Sequence, residues 1–78
     1  MKKLLVANVD IIGWGGGPGM TFGITYKGLF EVNEDISGML KFTALEDGSR
    51  QAGKTKKISK GFVFYAAPNT IREMIEVK

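Results

Sequence analysis

Apolar residues recur through most of the chain at every second position, the period of a β-strand with one buried face. From Met20 to Val32, Phe22, Ile24 and Tyr26 alternate with polar or small residues, and Leu29-Phe30-Glu31-Val32 continues the β character beyond Lys27-Gly28. This predicts either two strands around a turn at Lys27-Gly28 or one strand bent by a bulge at the glycine. Lys3 to Ile12 is rich in Val, Ile and Leu and too short for a stable helix. It predicts a first strand, buried on both faces at its start and half-exposed from Asn8 onward. Met39 to Leu45 predicts a strand with Leu40, Phe42 and Ala44 on one face and Lys41 and Thr43 on the other; Gly61 to Ala67 predicts another, with Phe62, Phe64 and Ala66 sharing a face.

The breaks between these runs are of three kinds. Residues 13–19, GWGGGPG, hold five glycines and a proline and predict an irregular loop that is costly to order. Residues 33–38, NEDISG, predict a polar turn. After Pro68, Thr70 followed by Glu73 has the form of a capping box, and Ile71, Met74 and Ile75 fall on one helical face, so a terminal helix of two turns is expected. The chain therefore reads as one small domain over residues 1–78, mostly antiparallel β with one short C-terminal helix packed across it. A small barrel of OB or SH3 type, or a strongly bent sheet, is the expected architecture. The strands near 39–45 and 57–67 would form a hairpin, with residues 47–57 as its basic tip.

Size adds a constraint. A domain of 78 residues buries only about 60% of the surface its unfolded chain exposes. Disulfides, structural metals and oligomerisation are the usual reinforcements at this size, and the sequence has no Cys and no His. Self-association into a homo-oligomer is the remaining expectation, and no cofactor is expected. The apolar start MKKLLVANVD is interrupted by Asn8 and Asp10 and is too short for a secretory core or a bilayer span. A cytoplasmic protein without a membrane partner is expected.

Charge changes the picture more. Residues 1–49 carry four lysines against six acids, and residues 61–78 balance Arg72 and Lys78 against Glu73 and Glu76. Between them Arg50, Lys54, Lys56, Lys57 and Lys60 stand without an acid, so eleven residues carry +5 within a chain of net +3. Such a block suits nucleic acid, nucleotide phosphates or an acidic protein face; it also suits a solvated loop kept soluble by its lysines.

Three stretches are candidates for chemistry. Gly48-Ser49-Arg50-Gln51-Ala52-Gly53-Lys54-Thr55 matches G-x-x-x-x-G-K-[ST] at every fixed position. A phosphate-binding loop must open a helix whose N-terminus faces the phosphate, yet only Lys54 to Lys60 precede Gly61 and the β-rich Phe62-Val63-Phe64-Tyr65. The match is read as coincidental. Lys60-Gly61-Phe62-Val63-Phe64-Tyr65 resembles the aromatic RNA-binding strand of RRM and cold-shock domains, and Leu4 to Val9 resembles the partner strand of an RRM. That resemblance implies an aromatic platform on which bases stack. Val63 and Ala67 depart from the pattern and no first helix can follow Val9, so neither family is assigned, and Phe62 and Phe64 read more readily as core partners of Phe42 and Leu40. The third stretch is the glycine loop with Trp14, which could close over a flat ligand or fold its ring back onto the core.

Without His or Cys the chain lacks the commonest general base, the thiolate nucleophile and the usual zinc ligands. The expected function is a non-enzymatic binder of a phosphate-bearing partner. Arg50, Lys54, Lys56, Lys57 and Lys60 would supply the charge, and Trp14, Phe62, Phe64 and Tyr65 the stacking. The competing expectation is a protein-interaction module, of the kind of a small viral or phage inhibitor or accessory protein, using a sheet edge or the basic arm against an acidic partner.

Overall fold

The β periodicity is realised as an open antiparallel sheet that forks along one strand. The computed structural model describes residues 4–14, 21–34 and 37–77. Two long strands, β1 (Leu4–Trp14) and β2 (Thr21–Glu34), precede β3 (Leu40–Ala44), β4 (Gly48–Ala52), β5 (Lys54–Ile58), β6 (Val63–Ala66) and β7 (Ile71–Glu76); a single 3-10 turn at Pro68–Thr70 leads into β7. Of the expected glycine loop, Gly13 and Trp14 belong to β1, and residues 15–19 lie outside the described residues.

One flank of β2 pairs with β1 along its length. On the other flank its first half pairs with β4, Thr25 opposite Gln51 and Tyr26 opposite Arg50, while its second half pairs with β3, from Phe30 opposite Ala44 to Glu34 opposite Leu40. β5 extends the first arm and β6 the second. The fork lies at a bulge. Between the pairs Ala7–Leu29 and Val9–Tyr26, β1 contributes Asn8 alone and β2 contributes Lys27 and Gly28. Asn8 has φ +52° and Gly28 +136°, conformations that glycine and, less often, asparagine tolerate. The bulge resets the alternation of β1, so that Val6 and Val9, three residues apart, are both fully buried. In a regular strand they would face opposite sides.

Packing ties the two arms together. Phe64 of β6 stacks on Tyr26 of β2, with 3.7 Å between ring centroids and 5° between planes, and on Phe42 of β3 at 4.6 Å and 2°. Phe30 meets Phe64 and Tyr26 edge-on. Val6, Val9, Ile11, Ile24, Val32, Ala44, Ile58 and Ala66 complete the buried set around the rings. Connectivity also forces curvature. β6 and β7 sit at opposite ends of the path β6-β3-β2-β1-β7, yet only residues 67–70 join them. In a flat sheet Ala66 and Ile71 would be more than about 30 Å apart, and five residue steps reach at most about 18 Å. The sheet must curl over its own core.

Two expectations are corrected. The sheet does not close into a barrel: β5, β6 and β7 each pair on one flank only among the described residues. The C-terminal helix is absent, and residues 71–76 form β7 on the free flank of β1. The Thr70 hydroxyl donates to the Ala67 carbonyl at 2.7 Å within the 3-10 turn, so the capping residue closes a turn instead of opening a helix. Six residues are too few to sustain a helix against the cost of nucleation, whereas β1 offers them backbone partners. The helix-like spacing of Ile71 and Met74 comes from an extra residue, Arg72, between the pairs Ile11–Ile71 and Asp10–Glu73; both apolar side chains thereby pack on the core. No helix among the described residues is long and apolar enough to cross a membrane.

Candidate anion-binding hairpin

The basic segment is itself a pair of strands. β4 and β5 pair from Gly48–Ile58 to Ala52–Lys54 around Gly53, whose φ of +83° lies in the left-handed region that favours glycine. The resemblance of residues 48–55 to a phosphate-binding loop therefore has no structural counterpart, since its backbone amides belong to a strand, a turn and a second strand, and no helix follows. Ile58 is buried and anchors the end of β5 in the core.

Strand alternation divides the cations between two faces. Arg50 stands opposite Lys56, and Ala52 opposite Lys54, on the face that continues the core; Ser49 stands opposite Lys57, and Gln51 opposite Thr55, on the other. On the first face Arg50 lies beside Tyr26. Its Nε donates to the Tyr26 hydroxyl at 3.2 Å, and its guanidinium carbon sits 5.9 Å from the ring centroid. These contacts station Arg50, while the side chains of Lys54 and Lys56 are exposed.

On the second face Lys27 of β2 is opposite Ser49, which is opposite Lys57. The row Lys27-Ser49-Lys57 thus crosses three strands. Sequence reasoning missed Lys27, because a linear count assigns it to the acid-rich half and only strand pairing brings it here. A neighbouring open groove of about 490 Å³ is lined by Asp47, Gly48, Ser49, Thr55, Lys57, Ile58 and Ser59. At its margin Asp47 Oδ1 accepts a hydrogen bond from the Lys60 backbone N–H at 2.9 Å, and the Lys60 residue is exposed in the turn after β5. Among the described residues no ion pair joins Arg50, Lys54, Lys56, Lys57 or Lys60 to an acid.

Of the aromatic candidates, Phe62 and Phe64 are neighbours, with 6.2 Å between ring centroids, whereas Tyr65 faces away from them. Phe64 is buried in the ring stack and contributes to the core. Phe62, 37% exposed, borders Tyr26 at 6.4 Å between centroids, on the same side as Arg50. Tyr65, 51% exposed, is opposite Lys41 and points to the other side of β6. Trp14 is paired with Thr21 through the backbone of β1, and its side chain lies outside the described part. Among the described residues no cluster of three Asp or Glu could hold a metal ion. No family model, no curated protein and no solved structure matches the chain.

Proposed function

We propose that the chain is a non-enzymatic nucleic-acid-binding module whose contact surface is the β4–β5 hairpin. The observation that carries this reading is the presence, on both faces of one ribbon, of cations that form no ion pair among the described residues. A small phosphate ligand is held by charges converging on one point, whereas a polyanion is held by charges spread along its backbone. A two-stranded ribbon also has the dimensions of a DNA major groove. In this reading Arg50, Lys54, Lys56, Lys57 and Lys60 contact phosphates, and Phe62 is the aromatic side chain placed to meet a base. The curled sheet behind them is the OB- or SH3-like scaffold that keeps the hairpin rigid. Titration of a labelled 16-base-pair duplex and a 16-nucleotide strand at several salt concentrations tests it. Affinity should fall steeply with salt, and joint substitution of Lys54, Lys56 and Lys57 by Gln should flatten the log–log slope by about 2 to 3. No binding at low salt, or binding indifferent to salt, overturns it.

A second reading, self-association, is favoured by the edge strands. β5 carries Lys54, Lys56 and Lys57 and β7 carries Arg72, Glu73 and Glu76, the charged protection usual for free edges. β6 carries no charge and exposes Val63 and Tyr65. The Phe62 carbonyl accepts from the Ala44 N–H, so the even-numbered residues of β6 bond toward β3 and Val63 and Tyr65 turn their main-chain groups outward. Two copies pairing antiparallel about Phe64 would set Val63 of one beside Tyr65 of the other, a favourable β-branched–aromatic pair. Native mass spectrometry should then show a dimer that Val63→Lys abolishes while the circular dichroism spectrum is retained. A strictly monomeric parent protein rules this reading out.

A further inference from the structure

We infer that Lys27, Ser49 and Lys57 form a phosphate-binding site on the face of the hairpin turned away from the core. The site rests on the proposed nucleic-acid reading and deepens it, by naming where one phosphate group is gripped. Two independent features place it. The first is register: Lys27 pairs with Ser49 and Ser49 with Lys57, so the three side chains rise from one face in a single row across β2, β4 and β5. Neighbouring strands are about 4.8 Å apart, which sets the two lysine backbones about 10 Å apart with the serine between them. Two four-carbon stems converging from that spacing can place both ammonium groups on one tetrahedral anion above the serine hydroxyl, each acting as a mobile point charge.

The second is shape: the groove beside this row is lined by Ser49, Lys57, Thr55 and Ser59. Three hydroxyl-bearing residues and a lysine therefore line this open groove together with Asp47 and Ile58, and hydroxyls are ready donors to phosphate oxygens. The closeness of the row depends on Gly48. A Cβ there would overlap the Lys27 carbonyl oxygen, so the glycine is what lets β4 run tightly beside Lys27.

Two acids lie near the row. Asp47 lines the groove, and its Oδ1 is engaged by the Lys60 N–H. Asp10 shares the outer face one row away, where it accepts a 3.3 Å hydrogen bond from Thr25 Oγ1. Two ammonium groups flanking a hydroxyl repel each other until an anion sits between them, and that is the driving force for occupancy. Any phosphate monoester or diester supplies the required chemistry, so free phosphate and the backbone of a nucleic acid are two sources of one ligand.

The test uses the whole protein, isotope-labelled for amide NMR, in two arms. One adds inorganic phosphate and the other adds the 16-base-pair duplex; each is repeated with Lys27→Gln, Lys57→Gln and, as a control, Lys41→Gln. Lys41 is on the same outward face of the distant β3 arm, opposite Tyr65, and lies outside the site. Shifts centred on Lys27, Ser49, Lys57 and Thr55 in either arm, lost in the Lys27 and Lys57 variants and kept in the Lys41 variant, establish the site. In the duplex arm, loss of the shared phosphate in either site variant should also lower the salt slope by about 0.9. Response to duplex alone identifies a nucleic-acid phosphate as the source; response to both identifies a general phosphate site. Duplex binding with no shift in the row and unchanged slopes overturns the site alone, leaving the broader reading intact. Silence in both arms overturns the two together.

Discussion

Replacing Phe64 with alanine is expected to remove a large share of the domain's stability. Phe64 is the shared member of the ring stack, in face-to-face contact with Tyr26 and Phe42 and edge contact with Phe30. It is therefore the side chain through which the β3–β6 arm grips the β2–β4–β5 arm. Truncating a buried phenylalanine costs about 3–5 kcal/mol. A domain of this length has a total stability of roughly 4–12 kcal/mol, so the loss removes a large share of it. Relaxation cannot refill the space easily, because the facing rings belong to strands held by separate ladders. Urea titration followed by circular dichroism should show the midpoint collapse for Phe64→Ala and fall by well under half as much for the partly exposed Phe62→Ala. Equal losses at the two positions would refute the arm-coupling role.

The second large effect is expected at Gly48, through the close approach of two strands. An added Cβ would overlap the Lys27 carbonyl oxygen and crowd the Gly28 Cα. Both obstacles are backbone, so no side-chain rotation relieves them, and β4 must draw away from β2. We expect Gly48→Ala to cost about 3 kcal/mol, the upper part of the range for forced overpacking, and to weaken duplex binding by loosening the hairpin from its support. Gly53→Ala provides the contrast. Its Cβ would meet nothing within 4 Å, leaving only the strain of φ +83°, about 1–2 kcal/mol. Denaturation midpoints that place Gly53→Ala below Gly48→Ala would show that close approach is not what Gly48 provides.

Much of the sheet was legible from alternation, because each long run had one apolar face: β1, β2, β3 and β6 lie within a few residues of the expected strands, and the bulge at Gly28 is one of the two forms anticipated. What was not legible shares a physical cause. A bulge converts a spacing of two into a spacing of three, and a spacing of three reads as helix. This hid the strand character of Ile71 and Met74, and it also puts Val6 and Val9 on one face. β4 and β5 were hidden differently. GSRQA and KTKKI have few apolar residues, since they make a ribbon at the sheet margin with Ile58 as its buried residue. Composition therefore reported a loop. The basic residues themselves were plain in the sequence. Their division into two faces, and the recruitment of Lys27, depend on register, which no local count contains.

The pairing of β7 with β1 has a consequence for the order of assembly. Ile11 meets Ile71, and Val6 meets Glu76, so this ladder cannot form until a segment of sixty or seventy residues has been brought into a ring, and such distant pairings keep β folds in the millisecond-to-second range. The β4–β5 ribbon, closed by a single glycine, can form within microseconds. The hairpin can therefore form and melt many times before the last strand zips home, and only the finished sheet holds it in place.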